Sequence, residues 1–107
     1  MSENESDILF LALEHNENLP LLDLHEIKPD EIKDEVFNFL SDQINKKQSA
    51  VRLIYGRGGK GILKKEVMDF LNQNRSEKIP HQKLVKDFRE QTVKNAGGAC
   101  VVLLEMD

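Results

Sequence analysis

"AVRLIYGRGGKGILKKEV", residues 50–67, decides how this chain is read. Residues 50–55 are apolar or β-branched apart from Arg52, the composition of a strand. Four glycines then occupy the six positions from Gly56 to Gly61, a stretch that suits a sharp turn and neither helix nor strand. Leu63, Val67, Phe70 and Leu71 follow at helical spacing. The stretch therefore reads as strand, glycine loop and helix.

Upstream, "LLDL" at residues 21–24 is a second apolar run. Its alternation sets Leu22 and Leu24 on one face and Asp23 and His25 on the other, with His25 closing a short strand. Pro29 and Asp30 start a helix. Ile32, Val36, Phe39, Leu40 and Ile44 carry it for about four turns, to near Lys46. Downstream, the polar stretch from Asn72 to Pro80 ends the second helix, and His81 falls in a polar surface loop. Leu84 to Thr92 reads as strand or short helix, with strand favoured over Val85 to Gln91. Gly97-Gly98 marks a turn before "ACVVLL", residues 99–104, a continuous apolar run typical of a buried strand.

The order is β-α-β-α-β-β. A strand, crossover helix and strand imply a parallel pair, and the last two strands can close as a hairpin. The expected architecture is a two-layer α/β sandwich on a mixed sheet of about four strands. The chain has 107 residues, the size of one domain. An acidic N-terminal extension over residues 1–19 is expected to precede a domain over 20–107, its "DILFLALEH" run forming a helical turn packed on that domain.

Charge is unevenly spread. Residues 1–20 hold Glu3, Glu5, Asp7, Glu14 and Glu17 and no Lys or Arg, whereas residues 46–94 hold thirteen Lys and Arg against five Asp and Glu. A basic half of this kind suits a polyanionic partner. The single cysteine, Cys100, excludes a disulfide framework and a cysteine-based zinc cluster, and its apolar strand makes it an inert buried thiol. No signal peptide and no membrane span are expected, so the chain reads as a cytoplasmic monomer with no metal site.

Ligands of open α/β sheets collect beyond the carboxyl ends of the strands. There, Asp23 and His25 end one strand and the glycine loop leaves the next. Glycines let the backbone approach a ligand, successive amides form an anion nest, and a helix N-terminus follows. Arg57, Lys60 and Lys64 add charge. The spacing fits neither the P-loop nor the dinucleotide fingerprint, so a mononucleotide or cofactor site has little support. An imidazole can move a proton near neutral pH, with a carboxylate orienting it.

Together these motifs resemble the Smr (small MutS-related) domain family. "LDLHE", residues 22–26, stands where the family has Leu-Asp-Leu-His-Gly. "YGRGGKGILK", residues 55–64, matches its His-Gly-x-Gly-x-x-Gly-x-Leu-Arg/Lys pattern. Phe88-Arg89 matches its Phe-Arg pair, and "GGACVVLL" its turn and terminal strand. The resemblance spans about residues 20–105. It implies a fold similar to the C-terminal domain of translation initiation factor three. It implies binding or cleavage of RNA or DNA, in some relatives at the ribosome. It casts Asp23 and His25 as catalytic and Gly56, Arg57, Gly58 and Gly61 as the substrate-binding loop, and Tyr55, Lys60, Lys64 and Arg89 are further candidate substrate contacts. Two departures bear on activity. Glu26 replaces a glycine, and Tyr55, with an ordinary pKa of about 10, replaces a histidine, although a tyrosine can still stack on a base. The expectation is an endonuclease, with a non-catalytic nucleic-acid or ribosome-associated module as the alternative.

Overall fold

The structure, a computed structural model, describes residues 3–75 and 83–106. Helix α1 spans Glu3–Glu14, strand β1 Leu21–Asp23, α2 Ile32–Asn45, β2 Ala50–Ile54, α3 Ile62–Arg75, β3 Val85–Glu90 and β4 Ala99–Leu104. The four strands form one mixed sheet in the order β1-β2-β4-β3. β1 and β2 run parallel, joined through α2, while β4 is antiparallel to both of its neighbours. The expected α/β fold on a mixed four-stranded sheet is observed, with α1 preceding the β-α-β-α-β-β order.

Strand alternation assigns the faces. Val51 and Leu53 from β2, Tyr55 just beyond its end, and Cys100, Val102 and Leu104 from β4 join Ile32, Val36 and Leu40 of α2 and Val67, Phe70 and Leu71 of α3 in one buried cluster. Each fully buried aliphatic side chain contributes about 2 kcal/mol by leaving water. Arg52 and Val101 therefore point to the opposite face, and α1 lies there, with Phe10 buried. β4 reads as an unbroken apolar run because helices cover it on both sides.

Several expectations change in detail. The N-terminal run forms a twelve-residue helix rather than a single turn. Its length is marginal for an isolated helix, and its contacts with the sheet supply the remainder. β1 stops at Asp23, and His25 sits in the turn beyond it, because Leu24 donates its amide to the Ile54 carbonyl at 2.6 Å and the chain then folds back, the Ile27 amide reaching the Leu24 carbonyl at 3.0 Å. The segment from Val85 is a strand that ends at Glu90. α3 runs through Arg75. His81 and the end of the polar stretch before it lie outside the described residues. No described helix is long and apolar enough to cross a membrane.

A buried polar network fixes α1. Arg52 is 7% exposed. Its Nη2 donates to the carbonyls of Leu13, Glu14 and Asn16 at 2.9–3.0 Å, and its Nε to Gln91 Oε1 at 2.6 Å. A guanidinium thus satisfies the orphan carbonyls at a helix C-terminus, where positive charge is favoured. Glu14 Oε1 accepts the amides of Thr92, Val93 and Lys94, and Oε2 the Thr92 hydroxyl. Burial alone would raise the pKa of this carboxyl, but those donors outweigh it and hold the carboxyl below its ordinary value.

Two outcomes follow for stability. Arg52→Ala leaves those carbonyls and Gln91 without a donor, and urea unfolding will show a loss of about 3 kcal/mol, with α1 amides losing exchange protection first. Glu14 stabilises the charged state, so its contribution is complete above its ordinary pKa of 4.5 and is lost as pH falls through the lower folded value. Exchange protection of α1 will therefore fall on acidification below pH 4.5 and will not change between pH 6 and 8 on this account.

Candidate nucleic-acid site at the strand ends

Parallel pairing of β1 with β2, with Asp23 opposite Ile54, brings the two sequence motifs to one edge of the sheet. Asp23 Oδ1 accepts both the His25 amide at 3.1 Å and His25 Nδ1 at 2.6 Å. The first bond closes a turn of the kind aspartate favours. The second commits Nδ1 to carrying a proton, so a neutral ring presents the Nε2 lone pair. Nε2 faces Glu26 Oε1 at 3.6 Å. The hydrogen bond to Asp23, and then its charge, raise the His25 pKa above 6.5, and the same hydrogen bond lowers that of Asp23. Both side chains are exposed.

The glycine loop lies against this pair. A Cβ added at Gly56 would stand 3.6 Å from the Cβ of His25. Gly59, Lys60 and Gly61 all take positive φ, at 67°, 58° and 74°. Three successive left-handed residues wind the chain tightly into α3, and Lys60 is the non-glycine among them. Arg57 and Lys60 are exposed and have no ion-pair partner among the described residues. Lys64 instead pairs with Glu90 at 2.6 Å, joining α3 to β3.

The turn before β4 supports the loop from the other side. The Gly98 carbonyl accepts the amides of Tyr55 and Gly56 at 2.9 and 3.0 Å. A Cβ at Gly98 would come within 3.3 Å of Arg57 Cγ and 3.5 Å of the Gly56 carbonyl carbon, a tight fit that a larger side chain could enter only if Arg57 shifted. The Gly-Gly pair marks this turn in the sequence, but its contact with the loop forty residues away carries no sequence signal.

Two expected ligand contacts lie elsewhere. Tyr55 is 2% exposed, its ring is part of the core and its hydroxyl has no hydrogen-bond partner among the described residues. Burial pushes the phenol pKa up. Its place in the Val51, Leu53, Tyr55 alternation is the signal that it belongs inside. Arg89 is on β3, three strands from β1 and so roughly 14 Å away. Its guanidinium donates to Asp7 and to Ser6 Oγ and lies 4.8 Å from the Phe10 ring. Cys100 is fully buried, and burial raises its thiol pKa, as an inert cysteine requires. No group of three or more metal-ligating side chains occurs among the described residues.

A sequence profile of the Smr domain matches residues 22–105. The Smr domain of Thermus thermophilus MutS2 shares 24% identity, covers 81% of this chain and 99% of that one, and superposes with a TM-score of 0.69. The solution structure of the SMR domain of NEDD4-binding protein 2 shares 20% identity over 86% and 92% of the two chains, with a TM-score of 0.57. None of the curated proteins matches by sequence. The chain belongs to the Smr domain family, a family of nucleic-acid-binding modules.

Loop geometry and the buried phenol each predict a stability. Gly61→Ala meets no neighbour but must hold φ near +74°, and will cost about 1 kcal/mol. Gly58→Ala, at φ −92°, will cost almost nothing. Tyr55→Phe removes an unpartnered buried hydroxyl and will be at least as stable as wild type. Urea unfolding of the three variants checks the ranking.

Proposed function

We propose that this Smr domain binds the phosphodiester backbone of RNA or DNA at the strand ends and that His25, oriented by Asp23, moves a proton during cleavage there. The observation that supports this most is the 2.6 Å contact between Asp23 and His25 Nδ1. It leaves Nε2 available beside a loop that carries two unpaired cations. Arg57 and Lys60 neutralise phosphate charge, and the loop's left-handed turns leave backbone close to the surface where a phosphate oxygen can approach.

On RNA, neutral His25 would take the proton of a 2′-hydroxyl through Nε2. The freed oxygen attacks phosphorus, the bond to the 5′-oxygen breaks, and that oxygen takes a proton from water. Asp23 keeps Nδ1 protonated and stabilises the imidazolium that forms. Arg57 offsets charge on the phosphorane. This reading needs no second histidine, which matters because the residue at that position, Tyr55, is in the core.

A second reading has support of its own. Glu26 places a carboxylate 3.6 Å from Nε2, where it competes with phosphate for the ring. In that case the domain binds nucleic acid, on or off the ribosome, and does not cut it.

Labelled RNA and DNA strands, incubated with and without chelator, separate the readings. With cleavage, His25→Ala will lose at least about a hundredfold in rate. The rate will rise with pH through a midpoint above 6.5, because the raised pKa keeps the ring protonated below it, and Asp23→Asn will move that midpoint down. Cleavage by His25→Ala at the wild-type rate would sink the catalytic reading. For binding, Arg57→Ala with Lys60→Ala will weaken affinity and reduce the salt slope for single strands by about 1.4.

A further inference from the structure

The face of the sheet opposite α2 and α3 is also rich in donors to anions, and α1 occupies them with its own acids. Asp7 pairs with the Arg89 guanidinium. The Glu14 carboxylate fills a nest made by three successive amides, Thr92, Val93 and Lys94, together with the Thr92 hydroxyl. Glu17, in the turn after α1, pairs with Lys94 Nζ at 3.3 Å. Arg52 and Arg89 both stand opposite Val101 in register, two guanidinium side chains flanking one buried valine. Residues 1–20 carry five acids and no Lys or Arg. Every acid named here sits where a phosphate oxygen would be welcome.

We propose that α1 is an acidic strap that covers a second nucleic-acid-binding face, formed by Arg89, the Thr92–Lys94 amides, Lys94 and Arg52, and that a nucleic-acid strand displaces it. This inference rests on the reading of the glycine loop as a nucleic-acid site. Nucleic acid is favoured over an acidic protein because the two faces are continuous. The segment between β3 and β4 carries the amide nest at one end and Gly98, in contact with Arg57, at the other. A strand held by Arg57 and Lys60 can run across that segment into the nest, where its phosphate takes the place of Glu14. The outer ion pairs of the strap, Asp7–Arg89 and Glu17–Lys94, are exposed, and exposed pairs of this kind are weak and screened by salt, so the buried Arg52 and Glu14 contacts are what a phosphate has to replace. The arrangement also accounts for Arg89, a candidate substrate contact that an acid of the same chain holds here.

Hydrogen exchange of the full chain, with and without a saturating single-stranded 20-nucleotide RNA, tests this. On binding, amides over residues 8–14 will exchange at least about tenfold faster while β4 stays protected. Unchanged or increased protection of α1 in the RNA-bound protein overturns the proposal. So does displacement of α1 by a poly-glutamate peptide but not by the RNA. The full-length variant Asp7→Asn/Glu14→Gln/Glu17→Gln will bind the RNA about tenfold more tightly, because no carboxylate then has to be expelled before the phosphate contacts form. Adding Arg89→Ala to that variant will remove part of the gain. A charge variant that retains β4 protection and binds no tighter than wild type overturns the proposal. Failure of the Arg57→Ala/Lys60→Ala pair to weaken wild-type binding would instead sink the glycine-loop reading, and the exchange behaviour of α1 reads out separately.

Discussion

Parallel pairing of β1 with β2 is the constraint on which the rest of the molecule depends. A parallel pair needs a crossover, and α2 supplies it. The helix then has to cover one face of the sheet, which puts the chain ends of both strands at the same edge. Asp23 stands opposite Ile54, so the turn that holds His25 and the loop that begins at Gly56 emerge side by side. Thirty residues of sequence separate them, yet a Cβ on Gly56 would stand 3.6 Å from the Cβ of His25. No local preference of either motif could bring this about.

Two glycine-bearing turns and one buried charge then refine that edge. The Gly98 carbonyl, in the turn before β4, receives the amides of Tyr55 and Gly56, which fixes where the loop starts. The left-handed run over Gly59, Lys60 and Gly61 fixes where it ends, at the first turn of α3. On the far face, Arg52 is desolvated without a carboxylate partner. It is balanced by three carbonyls at the end of α1 and by Gln91. Burying a charge is tolerable only with such compensation, so Arg52 and α1 need one another.

Most of the fold was legible because its signals are local. Strands β2 and β4 announce themselves as apolar runs, α2 and α3 by their spacing, and the loop by its glycines. The Asp23–His25 pair and its neighbour loop were legible through topology and through the resemblance to Smr domains. What could not be read depends on distant partners. α1 has a short apolar run whose stability comes from Arg52, Arg89 and the amides at 92–94, thirty-eight to eighty-three positions away. The "DILFLALEH" run already pointed to a helical turn packed on the domain, but neither its length nor its anchors could be read from it. Tyr55 continues the alternation of Val51 and Leu53 into the core, although it occupies the position of the family's histidine. Arg89 carried a family motif, and only the folded chain shows that Asp7, Ser6 and Phe10 surround it.

The central claim is that His25 and the glycine loop form one binding surface for nucleic acid. Amide-resolved NMR titration with a short single-stranded oligonucleotide tests it most directly. The account predicts that the amides of His25, Gly56, Arg57, Gly58 and Gly61 shift together along a single saturation curve. Shifts confined to other parts of the sheet, or separate curves for His25 and the loop, would contradict it.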